Sequence, residues 1–147
     1  YIIIRTNIFG WNVKPGRISS AEWIYNSLKK GEEITLFTDY TFSPVYAECL
    51  GDIIMQLVDK DFTGVINVGS PTPCSKYDFG MQLAKEFGLN LSLIRKGSIG
   101  DHSFSAPRPH KLDLDVSKLS GLDISPPECR HSIRQFARDR KDGADHY

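Results

Sequence analysis

The first four residues, Tyr1-Ile2-Ile3-Ile4, run apolar without polar alternation. A β-branched run of this kind suits a strand covered on both faces, as in a parallel sheet between helix layers. Parallel strands need neighbours and crossover helices, and none precede residue 1, so the strand is expected to be an interior piece of a larger sheet. Arg5-Thr6-Asn7 then follows on the strand's carboxyl end, before a polar loop that holds Pro15 and Gly16. Ser19-Ser20-Ala21-Glu22 has the form of a capping box. Ala21, Ile24, Tyr25 and Leu28 continue at helical spacing, and Gly31 ends that helix. Glu33 to Thr38 reads as a short strand, and Asp39 to Pro44 as a loop with a Ser43-Pro44 breaker.

From Val45 a second helix is expected, with Leu50, Ile53, Ile54, Leu57 and Val58 as its apolar stripe. Gly64 separates it from a strand, Val65 to Val68, and Gly69 to Pro73 form a loop. Ser75 caps a third helix that carries Phe79, Leu83 and Phe87 on one face and stops at Gly88. Leu91 to Ile94 is expected as a strand, and residues 97–111, rich in Gly, Ser, Pro and His, as a functional loop. Ser117 to Leu119 suits one helical turn, and Pro126-Pro127 launches a last helix with Ile133, Phe136 and Ala137 inward. Lys141 to Tyr147 is expected to form a mobile tail.

Composition narrows the partners. In 147 residues, 18 Lys and Arg balance 18 Asp and Glu, which offers no overall attraction to nucleic acid or an anionic membrane. No apolar run approaches bilayer length. Cys49, Cys74 and Cys129 are far apart in sequence and show no metal-type spacing, which argues against a disulfide framework or a zinc site and for a reducing, cytoplasmic setting. The Asn90-Leu91-Ser92 triplet is common by chance. His102 and His110 lie in the polar loop, His131 and His146 read as surface groups, and none has a partner at metal-ligand spacing.

Four landmarks occur in order: Tyr1 to Gly10, Phe42-Ser-Pro-Val-Tyr-Ala-Glu-Cys-Leu-Gly51, Gly64-Val-Ile-Asn-Val-Gly69, and Ala106 to Leu119. Together they resemble the carboxyl half of the extended short-chain dehydrogenases/reductases, most closely the dTDP-4-dehydrorhamnose reductases. The resemblance covers residue 1 to about residue 140. It implies an α/β fold, the C-terminal substrate-binding portion of an NAD(P)-binding Rossmann-type enzyme that lacks most of the parallel sheet. Residues 1–10 would be the last part of that sheet (strand and turn), 11–140 a substrate-binding lobe and 141–147 the tail. NADP or NAD would be bound mainly by residues outside this chain, and no catalytic residue is expected within it. No glycine-rich phosphate turn follows any strand. Tyr25 and Lys29 match a Tyr-x-x-x-Lys spacing, but Tyr25 lies on the apolar stripe of a capped helix and reads as core.

The same resemblance assigns contacts. Thr6 and Asn7 would approach the cofactor, and Asn7, Ser43, Val45, Tyr46 and Arg108 the substrate, with Arg5 a further polar group nearby. Arg108 stands between Pro107 and Pro109, which restrict its direction, and a guanidinium grips a diphosphate well. Its structural alternative is pairing with Asp113 or Asp115. Lys14 and Arg17 precede a helix N-terminus that also favours anions, although exposed loop cations are usually just solvated. Arg130, Arg134, Arg138 and Arg140 read as a solvated face. Where the family usually has an aspartate followed by Leu-Ala, this chain has Cys49-Leu50-Gly51. The expected parent is an NAD(P)-dependent reductase of a nucleotide-linked 4-keto sugar. The alternatives are an epimerase or dehydratase of the same superfamily, or a non-catalytic regulatory relative like the methionine adenosyltransferase β subunit. Nucleotide sugar is the expected ligand, with no nucleic acid and no membrane, and the apolar first strand is expected to drive a homodimer or strand exchange.

Overall fold

The computed structural model describes residues 1–12, 16–101, 104, 106 and 108–142. Lys14, Pro15, His102, Pro107 and the segment 143–147, with His146, lie outside the described residues.

Strand β1 runs over Ile2–Phe9 and organises everything else. It pairs in parallel with β5 (Gly64–Val68) from Ile2 to Thr6, and with β4 (Pro44–Tyr46) from Asn7 to Phe9. The two partners lie on opposite edges, in the order β4-β1-β5, so β1 changes neighbour between Thr6 and Asn7. Arg5, Thr6 and Asn7 therefore lie inside the strand, not beyond its end as the local sequence implies. Pairing with β4 satisfies backbone groups that would otherwise need solvent, and this extends the strand to Phe9.

That partner replaces the expected 39–44 loop and the helix start at Val45. β3 (Thr41–Phe42) and β4 occupy the segment, and α2 runs over Ala47–Asp59. Pro44 is tolerated because it is the first residue of its strand. In α2, Leu50, Ile53 and Leu57 are buried as the stripe predicts, whereas Val58 is exposed. β2 (Ile34–Phe37) pairs in parallel with β7 (Ile94–Gly97). The strand expected at Leu91 to Ile94 thus begins where that expectation ends. Asn90 Oδ1 accepts from Ser92 N (3.0 Å) and curls Leu91–Leu93 into a 3₁₀ turn first. β3 also pairs antiparallel with β6 (Cys74–Ser75) and in parallel with β8 (Lys111–Leu112).

The helices follow their caps. α1 (Ser20–Lys29) has the full capping box, and Gly31, at φ +78°, follows its end. α3 (Lys76–Glu86) is capped by Ser75, which accepts from Asp78 N. α4 (Ser117–Ser120) is a single turn, and α5 (Cys129–Asp142) runs two residues into the segment expected as tail. Aromatic rings fill the centre. Phe9 meets Phe79 and Phe136 edge-on at 5.1 and 5.6 Å. Trp11 stacks on Phe136 at 4.0 Å and donates Nε1–H to the Phe136 carbonyl (2.9 Å). Ile66 is sealed on one face of the β1–β5 pair, but Ile3 and Val65 on the other face are 51% and 38% exposed. Among the described residues, β1 is thus covered on one face, not two.

Glu22 is 7% exposed, and its carboxylate accepts from Asn12 N (2.9 Å), Asn12 Nδ2 and Ser19 N (both 2.6 Å), pinning both ends of the 12–19 loop to α1. Burial pushes its pKa up, but the donors from Ser19 and Asn12 outweigh this and hold it below the usual 4.5. A depressed folded-state pKa stabilises above the ordinary glutamate range and is lost as pH falls through the folded value. Glu22→Gln is therefore expected to cost about 1–2 kcal/mol in urea unfolding at pH 7. The gap between variant and parent should narrow below about pH 4.

Candidate functional site

A cleft of ≈ 410 Å³ opens between α1, β2, the start of α3 and the loop after β7. Trp23 and Ile24 come from α1, Phe37 from β2, and Tyr40, Ile99 and Phe104 from the connecting segments. Two cations join these walls, Lys76 and Arg108. The Lys76 ammonium lies 3.6 Å from the Phe42 ring centroid and 5.5 Å from that of Tyr40. Burial pulls its pKa down from 10.5 to about 8, with the Cys74 sulfur opposing. The Arg108 guanidinium sits 5.0 Å from the Phe104 ring centre. Among the described residues Arg108 makes no ion pair with Asp113 or Asp115. Asp115 instead accepts from Ser117 N (2.9 Å).

Asp39 holds the loop that carries Arg108. Its carboxylate accepts from Ser98 Oγ (2.6 Å) and Ile99 N (2.8 Å). These bonds, Ser98 first, keep its pKa below the usual carboxylate value. His110 Nδ1 lies 3.2 Å from the Asp39 carbonyl, and the His110 carbonyl accepts from Thr41 N (2.9 Å). Flat aromatic walls with two cations suit a planar ring joined to an anionic group.

The other sequence-predicted site residues gather at the β1 neighbour switch and do not line this cleft. Asn7 Oδ1 accepts from Ser43 N (3.1 Å), and Ser43 Oγ accepts from Leu114 N (3.1 Å). Ser43 and Val45 are fully buried, and Tyr46 is 5% exposed. Tyr46 donates its hydroxyl to Asp139, and burial, then that carboxylate, push its pKa up. Thr6 Oγ1 is buried without a hydrogen-bond partner among the described residues. Arg5 and Arg17 are exposed, as are Arg130, Arg134 and Arg138. Arg140 lies over Trp11 at 5.3 Å. Tyr25 is core, packed on Trp11 and Phe87, as its place on the stripe implies.

Sequence reasoning missed Trp23, Phe37, Tyr40, Lys76 and Phe104. Trp23 did carry a signal, since it falls off the α1 apolar stripe and remains 39% exposed. Lys76 carried none, because burial of a lysine beside an N-cap depends on what packs over it.

A parallel strand with two neighbours, backed by helices and flanked by an aromatic, cationic cleft, places the chain in the mixed α/β class. Within that class the chain belongs to the RmlD substrate binding domain family, whose model matches residues 1–141. It is 30% identical over 113 residues to the probable low-salt glycan biosynthesis reductase Agl14 of Haloferax volcanii, covering 76% of this chain and 38% of that protein. It is 23% identical over 143 residues to the Bacillus subtilis spore coat polysaccharide biosynthesis protein SpsK, covering 97% of this chain and 49% of that one. The chain thus spans half or less of the curated relatives it matches. Its fold superposes on the Bacillus anthracis dTDP-4-dehydrorhamnose reductase solved with NADP at a TM-score of 0.83, with 21% identity, 95% of this chain and 48% of that chain covered.

Packing around Ser43 is tight enough to test. A Cβ on Gly69 would lie 2.5 Å from the Ser43 carbonyl oxygen, whereas one on Gly51, inside α2, would meet nothing within 4 Å. Gly69→Ala is expected to destabilise by about 1–3 kcal/mol. Gly51→Ala should stabilise by about 0.5–1 kcal/mol. Urea midpoints of the two variants would move in opposite directions.

Proposed function

We propose that this chain binds and orients the sugar nucleotide for an NAD(P)-dependent reductase of a nucleotide-linked 4-keto sugar, as in dTDP-4-dehydrorhamnose reductases. The observation that carries the reading is the placement of Lys76 and Arg108 in one aromatic-walled cleft. Arg108 and Lys76 hold the diphosphate by charge-assisted contacts, while Trp23, Phe37 or Tyr40 offers a face to the base. Membership of the family and the 30% identical reductase support reduction over the epimerase or dehydratase alternative.

The buried neighbours act as a frame. Ser43, Val45 and Tyr46 have no surface to offer a ligand, so their role is to hold Phe42 beneath Lys76. Asn7 ties β1 to that frame through Ser43 N. The Thr6 hydroxyl, buried and unpartnered among the described residues, is the group this chain offers a nicotinamide cofactor at the strand switch. When bound, NADP or NAD would supply the hydride. The same reading places the parent protein in the cytoplasm. It also assigns self-association to the exposed Ile3–Val65 face.

Binding of dTDP and UDP to the full chain, followed by Trp fluorescence, tests the cleft. Arg108→Met should weaken binding about 10- to 100-fold, the value of one charge-assisted contact. With its folded-state pKa near 8, Lys76 is charged below that pH and neutral above it. Affinity should therefore fall as pH rises through about 8, and Lys76→Met should flatten that dependence. Equal affinity of parent and Arg108→Met at pH 7 would overturn the assignment. Reduction is tested by oxidation of NADPH with a dTDP-4-keto sugar, using the full-length protein.

A further inference from the structure

Cys74 and Cys129 stand 55 positions apart, yet their sulfur atoms lie 3.7 Å from each other. The backbone on both sides is tied down. Cys74 pairs with Phe42 through β6, and Cys129 is the first residue of α5. The Ser70 hydroxyl joins the two segments by donating to the Thr72 carbonyl (2.9 Å) and accepting from Cys129 N (3.1 Å). A second cleft, ≈ 440 Å³ and lined by Thr72, Asp78, Glu128 and Arg130, opens onto both thiols. Cys74 is half-buried and Cys129 is 5% exposed, so a small reagent meets Cys74 first. The two sulfurs share a hydrogen bond, and this contact lowers the pKa of Cys74 and raises that of Cys129. Cys49 is buried elsewhere, and burial raises its pKa. Among the described residues no group of three His, Cys, Asp or Glu side chains can hold a metal, so metal ligation does not account for the pair.

We propose that Cys74 and Cys129 form a reversible disulfide when hydrogen peroxide enters this cleft, fastening the start of α5 to β6. The sulfurs need to close by about 1.7 Å to reach bonding distance, a movement within side-chain rotation. Cys74 thiolate attacks the peroxide O–O bond, giving a sulfenic acid and hydroxide. Cys129 then gives up its proton, and its sulfur attacks the Cys74 sulfur and displaces the second hydroxide. In sum, two thiols are oxidised to one disulfide and one peroxide is reduced to two waters. A dithiol reductant restores the pair by exchange. In a reducing compartment the resting state is the dithiol.

The three cysteines fall on different tryptic peptides, 31–60, 61–76 and 119–130. After brief peroxide treatment of the full chain, non-reducing digestion should yield peptide 61–76 linked to 119–130, with Cys49 still reduced. The oxidised protein should melt roughly 5–15 °C higher than the reduced one, as expected for closing a loop of this length. Cys74→Ser should abolish the shift and leave Cys129 unmodified. Cys129→Ser should leave a Cys74 sulfenic acid that dimedone traps. Overoxidised Cys74 beside an unreacted Cys129 in the folded parent, or a link through Cys49, would overturn the proposal, and the parent protein alone decides it.

Discussion

Parallel pairing of one strand with two different neighbours is the constraint on which the rest of the molecule depends. β1 spends its first half against β5 and its second half against β4, and the exchange falls between Thr6 and Asn7. A strand that changes edge leaves groups near the change that no ladder satisfies, and side chains must take them up. Asn7 does so for Ser43 N, and Ser43 in turn serves Leu114 N. Three distant segments are thereby fixed at one point, with the Gly69 backbone packed against Ser43 too closely for any side chain. The position of Phe42, and hence of the floor under Lys76, follows from that point.

From this frame the electrostatics of the cleft can be understood. An ammonium on an aromatic face and away from water loses hydration that the ring only partly replaces. Its pKa therefore falls, and an incoming anion recovers more energy there than at an exposed lysine. Arg108 contributes differently, through the planar fork of N–H donors that a guanidinium presents. Asp39 lets the two cations share a cleft by gathering Ser98 and Ile99 and so placing the segment that carries Arg108.

Much of this was legible in the chain. The capping box at Ser19 to Glu22, the cap at Ser75 and the inward faces of α1, α3 and α5 are all as the local spacing implied. The resemblance to the reductases, carried by four short landmarks, led to the right family and to Arg108 as a cleft residue. It did not lead to the aromatic walls or to Lys76. The landmarks around Ser43 to Tyr46 proved to mark a packed junction whose side chains turn inward.

The division has a physical cause. Helices close their bonds within four residues and can be capped by side chains three residues away, so sequence alone determined where α1 and α3 start and which faces they bury, whereas uncapped α2 starts only where β4 ends. Strands close theirs on partners far along the chain. Only tertiary pairing decided that β1 runs to Phe9, that Thr41 to Tyr46 forms two strands, and that β7 begins at Ile94. The same holds for the site. A lysine is desolvated, and two cysteines 55 residues apart become neighbours, only when remote segments pack around them.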